Sequence, residues 1–406
     1  KIIEGLKKLE YRGYDSSGIA ILSDKGIELN KCKGEIKNLE NMIAGRIPSG
    51  TCGIGHTRWA THGAPSDVNS HPHMDQSGRV ALVHNGIVEN YLELKEALIN
   101  EHGIKFKSET DSEVIAQLVG VKYNANGGDL EKAVYDAIKE MRGTYAIGVI
   151  AEDTPDKIVA YRKEAPLIAG LGKKSNFIAS DIPALLKYTN DIFLIENDEM
   201  VICTPDSITI KDKDGKEVKR EAMKITWSVE DAEKGGYEHF MLKEINEQPK
   251  VVAETLNRRI DEDGKIKLDG INLTKEELDK YNKIYIVACG TAYHAGLVGK
   301  YVIEKMAGIA VEVDVASEFR YRDPFIDEKT LFIAISQSGE TLDTLMSLRL
   351  AKEKGARVLS VVNVVGSSIA RESDDVFYTW AGPEIAVAST KAYTTQLVCM
   401  YLIALY

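Results

Sequence analysis

The run Leu331-Phe332-Ile333-Ala334-Ile335, followed at once by Ser336-Gln337-Ser338-Gly339-Glu340-Thr341, constrains the fold of this chain more than any other stretch. Five apolar residues without alternation are too short for a helix and read as a parallel strand covered on both faces. The chain then turns polar, and from Thr341 to Leu350 apolar residues return at helical spacing. A strand, a hydroxyl-rich turn and a helix start present free backbone N–H groups and the positive end of a helix dipole, which suits phosphate. The Gly-Lys-Ser/Thr of a nucleoside-triphosphate loop is missing, so a small phosphate ester fits better. The competing reading is that Ser336, Ser338 and Thr341 only cap the helix of an ordinary β-α unit.

The surrounding sequence favours a ligand site. From about Lys283, candidate strands at Ile284–Ala288, Val311–Val315, Leu331–Ile335, Val358–Val362 and Val376–Thr379 alternate with helix-length segments. That rhythm predicts a doubly wound parallel sheet, whose ligands sit beyond the carboxyl ends of the strands. Gly290-Thr291, Gly366-Ser367-Ser368 and Val387-Ala388-Ser389-Thr390-Lys391 add hydroxyls near other strand ends. Several such ends in one sheet are harder to explain as independent caps.

The preceding half, from about residue 10 to 224, reads differently. Short strands are expected at Ile19–Leu22, Gly53–His56, Val80–His84, Ala146–Ala151, Lys157–Tyr161, Phe177–Ala179, Met200–Ile202 and Ile208–Ile210, with a tight hairpin at Asp214-Gly215. Helical patterns occur at Tyr91–Glu101, Glu113–Tyr123, Leu130–Met141 and Ile182–Tyr188. The mixture implies antiparallel sheet layers covered by helices. Between the halves, the charged segment Glu230–Glu247 with Gly235-Gly236 reads as a linker, and Pro249 is expected in the first turn of a helix ending near Asp261.

At 406 residues the chain has room for two domains, and its net charge of −11 argues against nucleic acid or anionic membrane as the main partner. Five scattered cysteines without a C-x-x-C pair point to a reducing, cytoplasmic compartment and no structural zinc. No apolar run reaches membrane-spanning length. Lys1–Leu9 has helical periodicity from its first residue and Val398–Tyr406 is still an apolar, helix-like run at the last, so a longer gene product is expected.

The chemistry of the first half centres on three motifs. Five of the eight histidines, His56, His62, His71, His73 and His84, fall in one short span. Without zinc-type spacing they read as groups hydrogen-bonding buried loops around a cleft, and no metal or cofactor is expected. Arg58, in His56-Thr57-Arg58-Trp59-Ala60-Thr61-His62-Gly63, suits a substrate carboxylate, the alternative being a surface ion pair. Asn85-Gly86 ends a strand with two N–H donors side by side, as a tetrahedral oxyanion requires, or else forms a hairpin turn. Asp111, after Ser108-Glu109-Thr110, either caps a helix or pairs with a substrate ammonium. Carboxylate clamp, ammonium clamp and oxyanion hole together describe an amino-acid amide.

Tyr11–Gly18, His56–Gly63, Asn69–His73, His84-Asn85-Gly86, Ser108–Asp111 and Arg142–Tyr145 resemble the class II glutamine amidotransferase domain. Gln248-Pro249, Cys289-Gly290-Thr291, Ser317–Arg322, Ser336–Thr341 and Ala388–Lys391 resemble the first sugar-isomerase (SIS) domain of the glutamine-fructose-6-phosphate aminotransferase family. The resemblance implies an Ntn-hydrolase-like αββα glutaminase domain over 1–224, a linker and connecting helix over 225–265, and a doubly wound SIS domain over 266–406. It implies that Arg58 and Asp111 bind glutamine with Trp59, Thr61 and His62 lining the pocket, and that Asn85 and Gly86 form the oxyanion hole. Thr291, Ser336, Gln337, Ser338, Thr341, Val387 and Ser389 would hold the sugar phosphate.

The family reaction so implied uses an N-terminal cysteine, upstream of Lys1, to release ammonia from glutamine. The ammonia crosses an internal channel to fructose 6-phosphate, and isomerisation gives glucosamine 6-phosphate. A second SIS domain with the isomerase residues would follow Tyr406, and a homodimer or higher oligomer is implied. Ala292 stands where family members often have Ser. A non-catalytic sugar-phosphate-binding regulator on the same folds is the alternative.

Overall fold

The computed structural model describes residues 1–46, 48–60, 63–225, 234–257, 259–260, 263–268 and 270–406. The chain forms two compact units, Lys1–Val229 and Glu230–Tyr406. Among the described residues no helix is long and apolar enough to cross a membrane.

The strands of the first unit are β1 (Ser16–Ser23), β2 (Gly26–Lys33), β3 (Cys52–Arg58), β4 (His73–Met74), β5 (Val80–Val88), β6 (Gly143–Ala151), β7 (Ile158–Lys163), β8 (Ile168–Gly170), β9 (Phe177–Ala179), β10 (Asp191–Leu194), β11 (Glu199–Cys203), β12 (Ile208–Lys211) and β13 (Met223–Lys224). Its helices are α1 (Ile2–Lys7), α2 (Ile36–Ile43), α3 (Tyr91–His102), α4 (Asp111–Ala125) and α5 (Leu130–Glu140). Antiparallel pairing gives three sheets, ordered β2-β1-β3, β13-β10-β8-β9 and β12-β11-β7-β6-β5-β4.

Alternation along the strands builds the layers. On β1, Ile19 and Ile21 pack with Leu6, Ile36, Leu39 and Ile43 of α1 and α2. Ala20 and Leu22 face the other way and pack with Ile54, Ala81 and Ile150 between the sheets. On the largest sheet, Leu82, Ile147, Val149 and Tyr161 bury against α3, α4 and α5. The β8-containing sheet covers the inner face of the largest sheet through Leu167, Ala169, Ala160 and Val201. The order is helix, sheet, sheet, helix.

The second unit holds α6 (Phe240–Asn257), α7 (Lys275–Leu278), β14 (Lys283–Ala288), α8 (Gly290–Ala307), β15 (Ala310–Val315), α9 (Ala316–Phe319), β16 (Thr330–Ser336), α10 (Leu342–Glu353), β17 (Arg357–Val362), α11 (Ser368–Glu372), β18 (Asp375–Tyr378) and α12 (Lys391–Leu405). Its sheet is parallel throughout, in the order β15-β14-β16-β17-β18. The order reverses between β14 and β16, so the turns after these two strands diverge and leave a crevice. Apolar side chains bury on both faces, Ile286 and Ile333 on one and Val287 and Phe332 on the other.

Two expected helices differ. Ile182–Tyr188 forms only a single 3-10 turn, Ile182–Ala184, because Asp181 caps the Ile182 N–H at 2.8 Å and Pro183 follows. The charged stretch before Pro249 is helical from Phe240, so Pro249 lies inside α6. Proline has no N–H for the Ile245 carbonyl one turn back. Gln248 Nε2 takes its place at 3.1 Å, while Gln248 Oε1 accepts from Thr394 Oγ1 of α12 at 2.5 Å. The strands β2, β4, β8, β10 and β13 carry no strong sequence signal; β2 reads Gly-Ile-Glu-Leu-Asn-Lys-Cys-Lys and is mostly half-buried.

Gln248→Leu removes both bonds at the proline and is expected to cost about 1 kcal/mol. A thermal melt of the second unit's transition should shift down by about 2–4 °C; an unchanged midpoint would mean that Pro249 is accommodated otherwise.

Candidate active site

Strands from three different sheets meet at a cavity of about 1100 Å³ in the first unit. β3 contributes His56, Arg58 and, just beyond, Trp59; β5 contributes His84, Asn85 and Gly86; α4 contributes Asp111 and Ser112. β3 and β9 are edge strands of their sheets, and both line the cavity.

Arg58 is buried, and its Nη2 donates to the Gly63 carbonyl at 3.3 Å. Desolvation lowers its pKa, opposed by the charges of Asp111 and Asp15. Asp15 also accepts from the Ala60 N–H at 2.8 Å, which fixes the chain leaving β3. Asp111 is buried at the start of α4, with Oδ2 accepting from the Val88 N–H at 3.0 Å. The helix cap is Thr110, which accepts from the Glu113 N–H at 3.2 Å, so Asp111 is not the cap. Glu113 reaches back past the cap to the Ser108 N–H at 2.5 Å and the Lys107 N–H at 3.0 Å, which ties the entering chain to α4 and sets where Asp111 stands.

Asn85-Gly86 is not a hairpin turn. Both residues lie within β5, paired with Ala146 and Tyr145 of β6. Gly86 has φ +118°, and an added Cβ would stand 2.0 Å from the Thr144 carbonyl oxygen, so no other residue fits. Trp59 is half exposed at the cavity and lies edge-on to Tyr14 at 5.4 Å. Thr61 and His62 lie outside the described residues.

The histidines cluster. His56 stacks on His71 at 4.2 Å, and His73 meets His71 edge-on at 5.0 Å. Burial first, then the neighbouring positive groups, hold His71 and His73 well below the usual imidazole range. Burial also lowers His84, against the pull of Asp111. Among the described residues no group of His, Cys, Asp or Glu is disposed to hold a metal ion. Cys52 and Cys203 line the cavity, but burial pushes their thiols up to about 11 and about 12, the reverse of an activated nucleophile.

In the second unit, Thr291 follows the end of β14, and Ser336, Gln337, Ser338 and Thr341 end and follow its parallel neighbour β16, with α10 beginning at Leu342. Ser336 Oγ accepts from the Gly339 N–H at 3.0 Å and bonds Thr341 Oγ1 at 2.9 Å. Ser338 Oγ accepts from the Glu340 N–H at 3.1 Å. Gly339 has φ +66°, and a Cβ there would lie 1.9 Å from Ser367 Oγ. Val387 is exposed, and Ser389 Oγ donates to Glu384 at 2.8 Å.

Three carboxylates that sequence reasoning passed over shape these loops. Glu340 accepts from the Ser368 N–H at 2.7 Å and Ser368 Oγ at 2.8 Å, which ties the turn after β16 to α11. Glu244 of α6 accepts from the Ile385 N–H at 2.6 Å, and Glu384 from the Thr390 N–H at 2.8 Å. Only Glu384-x₅-Thr390 is a local spacing; Glu340 and Glu244 reach partners 28 and 141 residues away.

Residues 56–187 match the family described as glutamine amidotransferase domain, and residues 277–406 match the SIS domain. A glutamine-fructose-6-phosphate aminotransferase (isomerizing) of Clostridium tetani is 61% identical over 405 residues, covering 100% of this chain and 66% of that protein. Enzymes of the same name from Clostridium perfringens and Thermus thermophilus are 60% and 51% identical, with the same coverages. The chain belongs to the glutamine-fructose-6-phosphate aminotransferase family. It spans 66% of the length of these family members. Within the family framework, the first cavity falls in the glutamine amidotransferase domain and the hydroxyl-rich crevice in the SIS domain.

The buried histidines make a pH prediction. With folded pKa values below the unfolded value near 6.5, their stabilising contribution is complete above that pH and is lost as pH falls through it. Each histidine held neutral should cost up to about 1.4 kcal/mol per pH unit on acidification. Denaturant titration of the first unit between pH 7 and 5.5 should show this loss; flat stability would contradict a neutral cluster.

Proposed function

We propose that the intact protein transfers the amide nitrogen of glutamine to fructose 6-phosphate and isomerises the product to glucosamine 6-phosphate, releasing glutamate. One observation carries the reading. Arg58, Asp111 and the Asn85-Gly86 pair come from three separate elements yet line one cavity, and the same chain carries a hydroxyl-rich turn at the switch point of a doubly wound sheet.

In this reading Arg58 binds the α-carboxylate through charge-assisted hydrogen bonds, and Asp111 pairs with the α-ammonium through the oxygen that Val88 does not engage. Trp59 lines the pocket. A thiolate attacks the side-chain carbonyl, and Asn85 Nδ2 and the Gly86 N–H stabilise the oxyanion. Collapse expels ammonia and leaves a glutamyl thioester, which water cleaves to glutamate. The two cavity-lining thiols, Cys52 and Cys203, are suppressed by burial and are not assigned this role.

The sugar phosphate is assigned to Ser336, Gln337, Ser338 and Thr341, whose turn meets the positive end of α10. Thr291, Val387 and Ser389 lie along the sugar. Ser389, with its proton on Glu384, would accept from a sugar hydroxyl rather than donate to it. A cytoplasmic location is part of the reading, supported by five cysteines standing as free thiols.

Arg58→Ala and Ser338→Ala in the intact protein separate the two sites. The first is expected to raise the glutamine KM by about tenfold or more and to leave fructose 6-phosphate binding near normal. The second should weaken sugar-phosphate binding, measured by calorimetry, by a hydrogen bond to a charged group worth about 1.5 to 3 kcal/mol. Equal damage to both substrates from either change would contradict the assignment.

A further inference from the structure

We propose that His56 is a positioning residue that fixes which end of the Asn85 amide faces the cavity. The proposal rests on the assignment of Asn85 to the oxyanion site. His56 sits on β3 and Asn85 on β5, in different sheets, and His56 Nε2 lies 2.8 Å from Asn85 Oδ1. An amide side chain has one accepting and one donating end. With a proton on His56 Nε2, the bond holds Oδ1 and leaves the two Nδ2 hydrogens for the cavity that Asn85 lines. Turned about, Asn85 would present oxygen lone pairs to a developing negative charge and oppose the reaction.

The imidazole is itself held. It stacks on His71 at 4.2 Å with the planes 20° apart. His71 Nδ1 in turn accepts from the His84 N–H at 3.3 Å. His84 precedes Asn85 on β5, so the chain of contacts leaves that strand at one residue and returns to it at the next. The stack fixes the ring, and the ring fixes the amide.

Glutamine hydrolysis by the intact protein tests this. His56→Leu removes the donor and is expected to lower kcat about 10- to 100-fold with the glutamine KM changed less than about threefold, because a transition-state interaction is lost. His56→Gln, whose amide nitrogen reaches the place of Nε2, should restore most of the rate. His56→Asn, polar but too short, should not, and this contrast stands even if the leucine variant fails to fold. Asn85→Ala should lower kcat about 100- to 1000-fold. The double variant with His56→Leu should be no slower than Asn85→Ala alone, since the histidine acts only through that amide. An unchanged kcat in His56→Leu, equal rates in the glutamine and asparagine variants, or multiplicative losses in the double variant would overturn the positioning role and leave the oxyanion assignment standing. An unchanged kcat in Asn85→Ala would overturn the assignment itself and the proposal with it.

Discussion

Close backbone approach between the two facing sheets of the first unit is the constraint on which its cavity depends. Gly18 of β1 pairs with His56 of β3, and a Cβ on Gly18 would lie 2.2 Å from the His71 carbonyl oxygen and 2.5 Å from Lys31 Cβ. The His71 chain therefore sits directly on β1, which puts its ring against His56. Lys31 reaches the same segment, its Nζ donating to the Ser70 carbonyl at 2.6 Å, and burial lowers its pKa to about 8. Gly86 makes a close approach of another kind, within its own sheet, against the Thr144 carbonyl of neighbouring β6. Without side chains at these two positions, β3 and β5 bring Arg58, His56 and Asn85 to one space.

The anion site proposed for the second unit would have to work on a chain of net charge −11. Its nearby carboxylates are occupied by N–H groups. Glu340 is satisfied by Ser368, Glu244 by Ile385 and Ala386, and Glu384 by Ser389, Thr390 and Ala392. A carboxylate that accepts backbone N–H bonds shapes a loop and points its charge into that loop. Buried Lys391 pairs with half-buried Glu247 at 2.6 Å and neutralises another acid beside the start of α12. Overall charge therefore says little about what this crevice can hold, and the local supply of N–H donors says more.

Much of this was legible in the sequence, unevenly. The parallel sheet announced itself because both faces of β14, β16 and β17 are buried, giving the unbroken apolar runs Ile284–Ala288, Leu331–Ile335 and Val358–Val362 with Ser360 as the one exception. β2, a half-buried edge strand, and β10, only four residues long, stayed hidden because such strands tolerate Lys, Asn and Asp. The extent of α6 was misread because a proline rule speaks of the proline alone. Of the bonds that Gln248 makes, the one to Ile245 is local to the helix, and the one to Thr394, 146 residues away, is a tertiary matter. The Asn85-Gly86 turn reading failed for a related reason: the dipeptide favours a positive φ at glycine, and here that φ serves a close contact inside a strand.

The two sites differ in how far apart in sequence their parts lie, and this explains why one was visible as a pattern and the other only as scattered motifs. Ser336, Ser338, Gly339 and Thr341 belong to one strand, turn and helix, so the sheet order places them together wherever the rest of the chain goes. Arg58, Asn85 and Asp111 depend on β3, β5 and α4 being brought together by contacts such as Ala20 and Ile54 against Ala81 and Ile150. A local site keeps its geometry as long as its own turn folds. A site assembled from separate layers inherits every displacement of those layers, so substitutions at Gly18 or in the inter-sheet core act on Asn85 without touching it.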